Sequence, residues 1–129
     1  MPNPHPFRRA AEAKDLDQLR ETLNEDVVLH SPILFNGFEG RDATLFVLSN
    51  VIQVFEDFHY TDELHGEDTV TLRFKARVAD GQYEIEGIDF LELDSHGRVV
   101  ELTVFLRPLK AVNAFNELMI ERLGAAPPA

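Results

Sequence analysis

The stretch from Thr69 to Leu93 constrains this chain more than any other. Val70, Leu72, Phe74, Ala76 and Val78 alternate with Thr71, Arg73, Lys75 and Arg77, the period of a strand with one buried face. Asp80-Gly81 follows, a pair suited to a two-residue hairpin turn, and Gln82 to Leu93 forms the return strand. Placing Ala79 opposite Gln82 sets Arg77 against Glu84 and Lys75 against Glu86. These opposite-charge pairs share one face and contribute about 0.2–1 kcal/mol each. The same register sets Ala76 against Ile85, Phe74 against Gly87 and Leu72 against Asp89. A slip of one residue would spoil both faces.

The second face of the hairpin is apolar, with one exception. Tyr83, Ile85, Gly87, Asp89, Leu91 and Leu93 lie on it, and alternation in the next strand adds Val100, Leu102, Val104 and Leu106. Asp89 is the ionisable carboxyl among them. An unpaired carboxylate there is strongly disfavoured, so Asp89 must find a partner, reach water or hold a proton. Two readings follow: a buried acid bonded to backbone, Arg or Tyr, or an acid inside a pocket lined by this face. Gly87, on the same face, would leave space for a ligand or mark a bulge. The opposite face mixes Ile88, Phe90 and Phe105 with charged residues, a pattern that suits a homodimer interface or cover by the chain's own tail or helix.

Around the hairpin the chain reads as α+β. Phe7, Ala10 and Ala11 suggest a short helix turning at Lys14-Asp15. Asp15 is then the N-cap of a second helix, with Gln18 at its N3 position and Leu16, Leu19 and Leu23 on one face. Leu45, Leu48, Ile52 and Phe55, widened by Val47, Val51 and Val54, place a largely buried helix over Asp42 to Phe55. Strands are expected over Val27 to Ser31, Phe58 to Leu64 and Val99 to Arg107. A last helix has Pro108 near its first turn, apolar Val112, Phe115, Met119 and Leu123, and Gly124 as its stop. One domain over residues 1–124 with a frayed tail at 125–129 is expected.

Charge and composition narrow the function. Twenty-three acidic against 12 basic residues give a net charge of −11 in 129 residues, which argues against nucleic acid or an anionic membrane as partner. The 44% hydrophobic content is too high for intrinsic disorder. Without cysteine there is no disulfide framework, thiolate nucleophile or cysteine-based metal site. Neither an apolar leader nor a membrane-spanning stretch is visible, so a cytoplasmic location is expected.

Other constellations are weaker. His30 and Ser31 are adjacent on a strand and point to opposite faces, so they do not make a nucleophile–base pair. His59 and His65 lack metal-ligand spacing and read as solvated, as do Glu56-Asp57 and Asp62-Glu63. Gly37 and Gly40 match no phosphate-binding or dinucleotide pattern, and no cofactor is expected. The loop from Ser31 to Gly40 is apolar for a connector; Phe35 and Phe38 either close the mouth of a pocket or plug the end of the core.

In their order and spacing, several segments resemble a known family: Lys14-Asp15-Leu16-Asp17, Val27 to Pro32, Phe38-Glu39-Gly40-Arg41-Asp42, Gly87 to Leu91, and Asp94 to Glu101. Together they resemble the SnoaL-like, or ketosteroid-isomerase-like, branch of the nuclear-transport-factor-2-like superfamily. The resemblance spans essentially the whole chain. It implies a curved, mostly antiparallel sheet wrapped by N-terminal helices and a closing C-terminal helix into a cone with an apolar interior, usually as a homodimer. In the steroid isomerase pattern an early-helix Tyr and a sheet Asp stabilise an oxyanion while a second Asp shuttles the proton. The matching positions here are Phe7, Asp89 and Ser31. Only the oxyanion Asp is retained, so a true ketosteroid isomerase is not expected. The Asp-Arg-Asp arrangement of the epoxide-hydrolase relatives is also missing.

The expected function is a pocket for a small apolar molecule with Asp89 as its polar anchor, as acid or oxyanion donor in an isomerase, cyclase or hydrolase. Phe7, Ser31, Phe35, Phe38, Tyr60, Phe74, Gly87, Leu91 and Leu102 are the expected lining. The alternative is a non-catalytic carrier or interaction module of the same fold.

Overall fold

A computed structural model describes residues 4–123. The helices are α1 (Pro6–Ala13), α2 (Leu16–Glu21), α3 (Arg41–Val54) and α4 (Leu109–Leu123). The strands are β1 (Leu23–His30), β2 (Phe38–Glu39), β3 (Glu56–His65), β4 (Thr69–Val78), β5 (Tyr83–Leu93) and β6 (Val99–Arg107). They form one sheet in the order β2-β1-β6-β5-β4-β3. Only β1 and β6 run parallel; the other neighbours are antiparallel. This is the expected α+β cone. Gly124 and the 125–129 tail lie outside the described residues.

The hairpin has the register its charges require. Arg77 faces Glu84, Lys75 faces Glu86, Phe74 faces Gly87 and Leu72 faces Asp89, without interruption from Thr69 to Val78. Asp80 and Gly81 take φ of 54° and 80°, and the Gln82 N–H donates to the Ala79 carbonyl at 3.1 Å. Ala79 is left-handed too, at φ 57°, and the ladder ends at the Val78–Tyr83 pair, so the connection runs from Ala79 to Gln82 around this turn and is longer than the two residues expected. Arg77 meets Glu84 at 3.4 Å. Glu86, however, is paired with Arg107 at 2.7 Å and Arg73 at 3.5 Å instead of Lys75. The planar guanidinium of Arg107, reaching across from β6, has a fork that suits a carboxylate better than an ammonium does.

The other ladders contain irregularities, which bend strands and increase their twist. β3 shifts register twice against β4, β6 shifts against β5 between Glu92 and Leu93, and β1 shifts against β6. The β6 irregularity corrects one expectation. Leu93 pairs with Val99, so Val99 is fully buried while Val100 is not; simple alternation had placed Val100 inside.

Leu16, Leu23 and Glu63 also differ from the sequence reading. Leu23 is buried, but as the first residue of β1 and not as part of α2, and Leu16 is exposed. β1 therefore begins four residues before the expected Val27. Glu63 is not a solvated edge. Its carboxylate accepts from the His5 N–H at 2.9 Å and from Arg8 at 3.2 Å, and it contacts His65. Burial raises the affinity of Glu63 for a proton, but these donors prevail and hold it below the usual range.

Helix α1 is fixed at both ends. His5 is its N-cap: Nδ1 accepts from the Phe7 N–H at 3.0 Å, and Nε2 lies 2.9 Å from the Gly97 carbonyl. Lys14, in the left-handed conformation, ends the helix. Asp15 caps α2 by accepting from the Gln18 N–H at 3.1 Å, as the sequence implies. The apolar stripes of α1, α3 and α4 then pack on the concave sheet face, where Val27, Leu29, Val70, Leu72, Ile85, Leu91 and Leu102 are almost fully buried.

Candidate functional site

The sheet and helices do not fill the cone. A cavity of about 230 Å³ remains between them. Phe7 of α1 and Leu19 of α2 line one end; Val47, Leu48, Val51 and Ile52 of α3 form one wall. Phe115, Asn116, Met119, Ile120 and Leu123 of α4 form another, and Leu29, Phe74, Val104 and Leu106 come from the sheet. The segment Ser31-Pro32-Ile33-Leu34 with Phe38 completes the lining. Polar side chains are few: Ser31, Tyr60, Asp89 and Asn116.

Asp89 is only 7% exposed and Tyr60 5%. The Tyr60 hydroxyl donates to Asp89 Oδ2 at 2.8 Å. The two residues sit on β3 and β5, so the bond spans the intervening strand β4, whose Phe74 pairs with Tyr60 and whose Leu72 pairs with Asp89. Burial raises the Asp89 carboxyl from the usual 3.8 to about 7, while the Tyr60 hydrogen bond works in the opposite direction. Burial, and then the neighbouring Asp89 charge, push the Tyr60 hydroxyl well above its ordinary value. Near neutrality the pair therefore keeps its phenolic proton, while the carboxyl is poised between its two forms.

The position of Tyr60 is set from several sides. Its ring stands edge-on to Phe58, with centroids 4.9 Å apart, and perpendicular to Phe74 at 6.0 Å. Arg8 of α1 lies over the ring, 5.9 Å from its centroid. The Tyr60 N–H donates to Glu12 at 3.1 Å. Helix α1 thus grips the strand segment that carries the phenol, and neighbouring rings hold its orientation.

The expected lining residues divide into two groups. Phe7, Ser31, Phe38, Tyr60, Phe74 and Asp89 line the cavity. Phe35, Gly87, Leu91 and Leu102 do not. Phe35 is fully exposed at the tip of its loop and neither closes the mouth nor plugs the core. Leu91 and Leu102 face each other across β5 and β6 and are wholly buried within the core. Gly87 makes no room for a ligand. A Cβ there would collide with the Phe105 carbonyl oxygen and lie 2.7 Å from Phe74 Cζ and 2.8 Å from Leu106 Cδ2; the glycine lets these groups close over it.

Sequence reasoning missed Ile33, Leu34, Phe55 and Phe58 as lining residues, as well as the contributions of α3 and α4. It also missed Asn116, although one signal was available. Asn116 lies four residues after Val112 and four before Ile120, which places it on the apolar stripe of α4.

Other candidate groups stay apart. His30 Nε2 lies 3.4 Å from Glu101, and the Ser31 hydroxyl accepts from the N–H groups of Ile33 and Leu34 at 3.3 and 3.0 Å. His59 contacts the Asp57 carbonyl. No cluster of three metal-ligating side chains occurs among the described residues. Among them, too, no helix is long and apolar enough to cross a membrane.

A cone-shaped α+β domain with an apolar cavity and a buried Asp–Tyr pair places this chain within the NTF2-like fold class. The family can be stated more narrowly: residues 6–102 match the SnoaL-like domain, and the chain belongs to that family. Among solved structures it is similar to a steroid delta-isomerase from Pseudomonas aeruginosa, at 34% identity and a TM-score of 0.86, over 92% of this chain and 87% of that one. An uncharacterized protein with a cystatin-like fold from Silicibacter pomeroyi is 28% identical, with a TM-score of 0.85, over 92% and 82%. An NTF2-like protein from Cytophaga hutchinsonii shares the fold at 18% identity and a TM-score of 0.62, over 80% and 85%. None of the curated proteins matches the chain.

Proposed function

We propose that the cavity binds a small, mostly apolar molecule through a hydrogen bond to Asp89, and that Asp89 serves there as general acid or oxyanion donor in an isomerase-type reaction. The 2.8 Å contact between Tyr60 and Asp89 inside an apolar cavity carries this reading. Because Tyr60 uses Oδ2, Oδ1 is left for the ligand. A protonated Oδ1 donates to a carbonyl oxygen and can give up its proton as negative charge develops there; an ionised Oδ1 can take it back. The similarity to a steroid delta-isomerase supports a reaction of this class. It does not extend to ketosteroid isomerisation itself, because Phe7 and Ser31 occupy the positions of the phenol and the proton-shuttling carboxylate.

A carrier is the second reading. It is favoured by the lining, which contains Asp89 and Tyr60 but no His, Lys, Arg or second carboxylate among the described residues. A screen of enolisable ketones, lactones and epoxides against the protein and Asp89→Asn separates the two. Turnover by the wild type, lost in the variant while binding persists, supports the enzyme. Binding without turnover in every class supports the carrier. Equal binding and equal turnover in the two proteins would overturn the role of Asp89.

The outer sheet face supports pairing with a second copy of the chain. Ile88 and Phe105 are cross-strand partners, 36% and 55% exposed, and Arg73, Glu86 and Arg107 border the same shallow groove. A two-fold copy would bury the apolar pair of each chain against that of the other. Sedimentation of the wild type as a dimer and of Phe105→Glu as a monomer is the expected result; a monomeric wild type would refute it.

A further inference from the structure

We propose that the cavity selects an uncharged ligand with two separate polar groups on a compact apolar body, one held by Asp89 and the other by the carboxamide of Asn116. This deepens the binding role given to Asp89 and rests on it for one end of the ligand.

Asn116 belongs to the cavity-facing stripe of α4, between Phe115 and Met119. It is half-buried. Among the described residues, no protein group forms a hydrogen bond with its side chain, unlike the other polar lining groups. Ser31 accepts two N–H groups of its own loop, and Tyr60 is committed to Asp89. The Asn116 carboxamide is thus a polar group of the lining with neither its donor nor its acceptor committed to the protein, whereas Ser31 has only its hydroxyl proton free. It offers both a donor and an acceptor. Asn116 is on a helix and Asp89 on the sheet, so one ligand touching both must present polar groups at separate points.

The charge and size of the ligand follow from the lining. With no Lys, Arg or His there, a carboxylate or phosphate would be desolvated without a counterion. An ammonium group could pair with Asp89, but the free Oδ1 cannot satisfy all three of its N–H donors. A carbonyl needs only one hydrogen bond. An engineered cavity of about 150 Å³ holds benzene. By that comparison, the present cavity of about 230 Å³ encloses a body of roughly ten non-hydrogen atoms, the size of a fused ring pair.

The test uses three probes: β-tetralone, and its methyl and hydroxyl derivatives substituted on the aromatic carbon farthest from the ketone. Dissociation constants are measured by calorimetry for the wild type, Asn116→Leu, Asn116→Ala and Asp89→Leu. The hydroxyl probe is expected to bind the wild type about five- to tenfold more tightly than the methyl probe, the range for one neutral hydrogen bond. That preference should vanish or reverse in both Asn116 variants, while the methyl probe still binds. An unchanged preference in both variants would overturn the inference, as would the lack of any preference in the wild type. If Asp89→Leu, whose side chain forms no hydrogen bond, binds all probes as the wild type does, the Asp89 reading fails while the Asn116 preference stands or falls separately. If no probe binds the wild type, both fail.

Discussion

The Tyr60 hydroxyl reaches over an entire strand to donate to Asp89, closing a 2.8 Å bond between β3 and β5 above β4. The bond gives the buried carboxyl one fixed partner and leaves its other oxygen unassigned. Burial raises the carboxyl to about 7 against the pull of this bond, so the pair combines a fixed geometry with a proton exchangeable near neutrality.

Removing the phenolic donor should therefore shift the acid further. In Tyr60→Phe, the Asp89 carboxyl is expected to titrate above the wild-type value, because the hydrogen bond that favours the ionised form is gone. The fold should lose about 1 kcal/mol. Carboxyl carbon shifts followed by NMR against pH, together with urea unfolding, check both expectations.

The raised carboxyl also has a signature in stability. Below the unfolded value of 3.8 both states hold the proton; between there and about 7 only the folded state does. Folding then takes up a proton, so stability falls as pH rises through this window and levels off above it. The contribution of Asp89 is on the order of 4 kcal/mol at most. Urea midpoints of Asp89→Asn should lack this component, so the variant gains on the wild type as pH rises. A constant difference between the two across the window would show that Asp89 titrates normally.

Gly87 is predicted to be a packing position. Gly87→Ala would force the Phe105 backbone, Phe74 and Leu106 apart, costing about 1–3 kcal/mol or more. Chemical denaturation measures this directly. A neutral or stabilising result would mean that β5 and β6 yield easily at this point.

The loop after β1 separates two phenylalanines that look alike in sequence. Phe38→Ala should weaken binding of an apolar probe severalfold, since Phe38 lines the cavity. Phe35→Ala should leave both stability and affinity within error, since Phe35 is fully exposed. Paired calorimetric titrations distinguish them.

The difference between Phe35 and Phe38 marks how far the sequence could be read. Strand alternation and the Asp80-Gly81 turn specify the register from Thr69 to Leu93, because side-chain parity and turn chemistry are local properties. That register alone brings Asp89 indoors. Parity fails where a strand is irregular, which is why Val99 and not Val100 is buried. It also cannot distinguish a residue lining a cavity from one filling the core, the distinction between Phe74 and Leu91. The partner of Asp89 depends on how β3 bends against β4, so Tyr60 could be expected in the lining but not assigned to Asp89. Glu63 looked solvated because its partners, His5 and Arg8, are more than 50 residues away in the chain.

The most direct test of the central claim is the affinity of β-tetralone measured from about pH 5 to about pH 9 for the wild type and Asp89→Asn. If a neutral Asp89 donates the anchoring hydrogen bond, wild-type affinity falls as pH rises through about 7 and then levels off, while the variant shows no such step. Identical pH profiles for the two proteins would contradict the claim that Asp89 anchors the ligand.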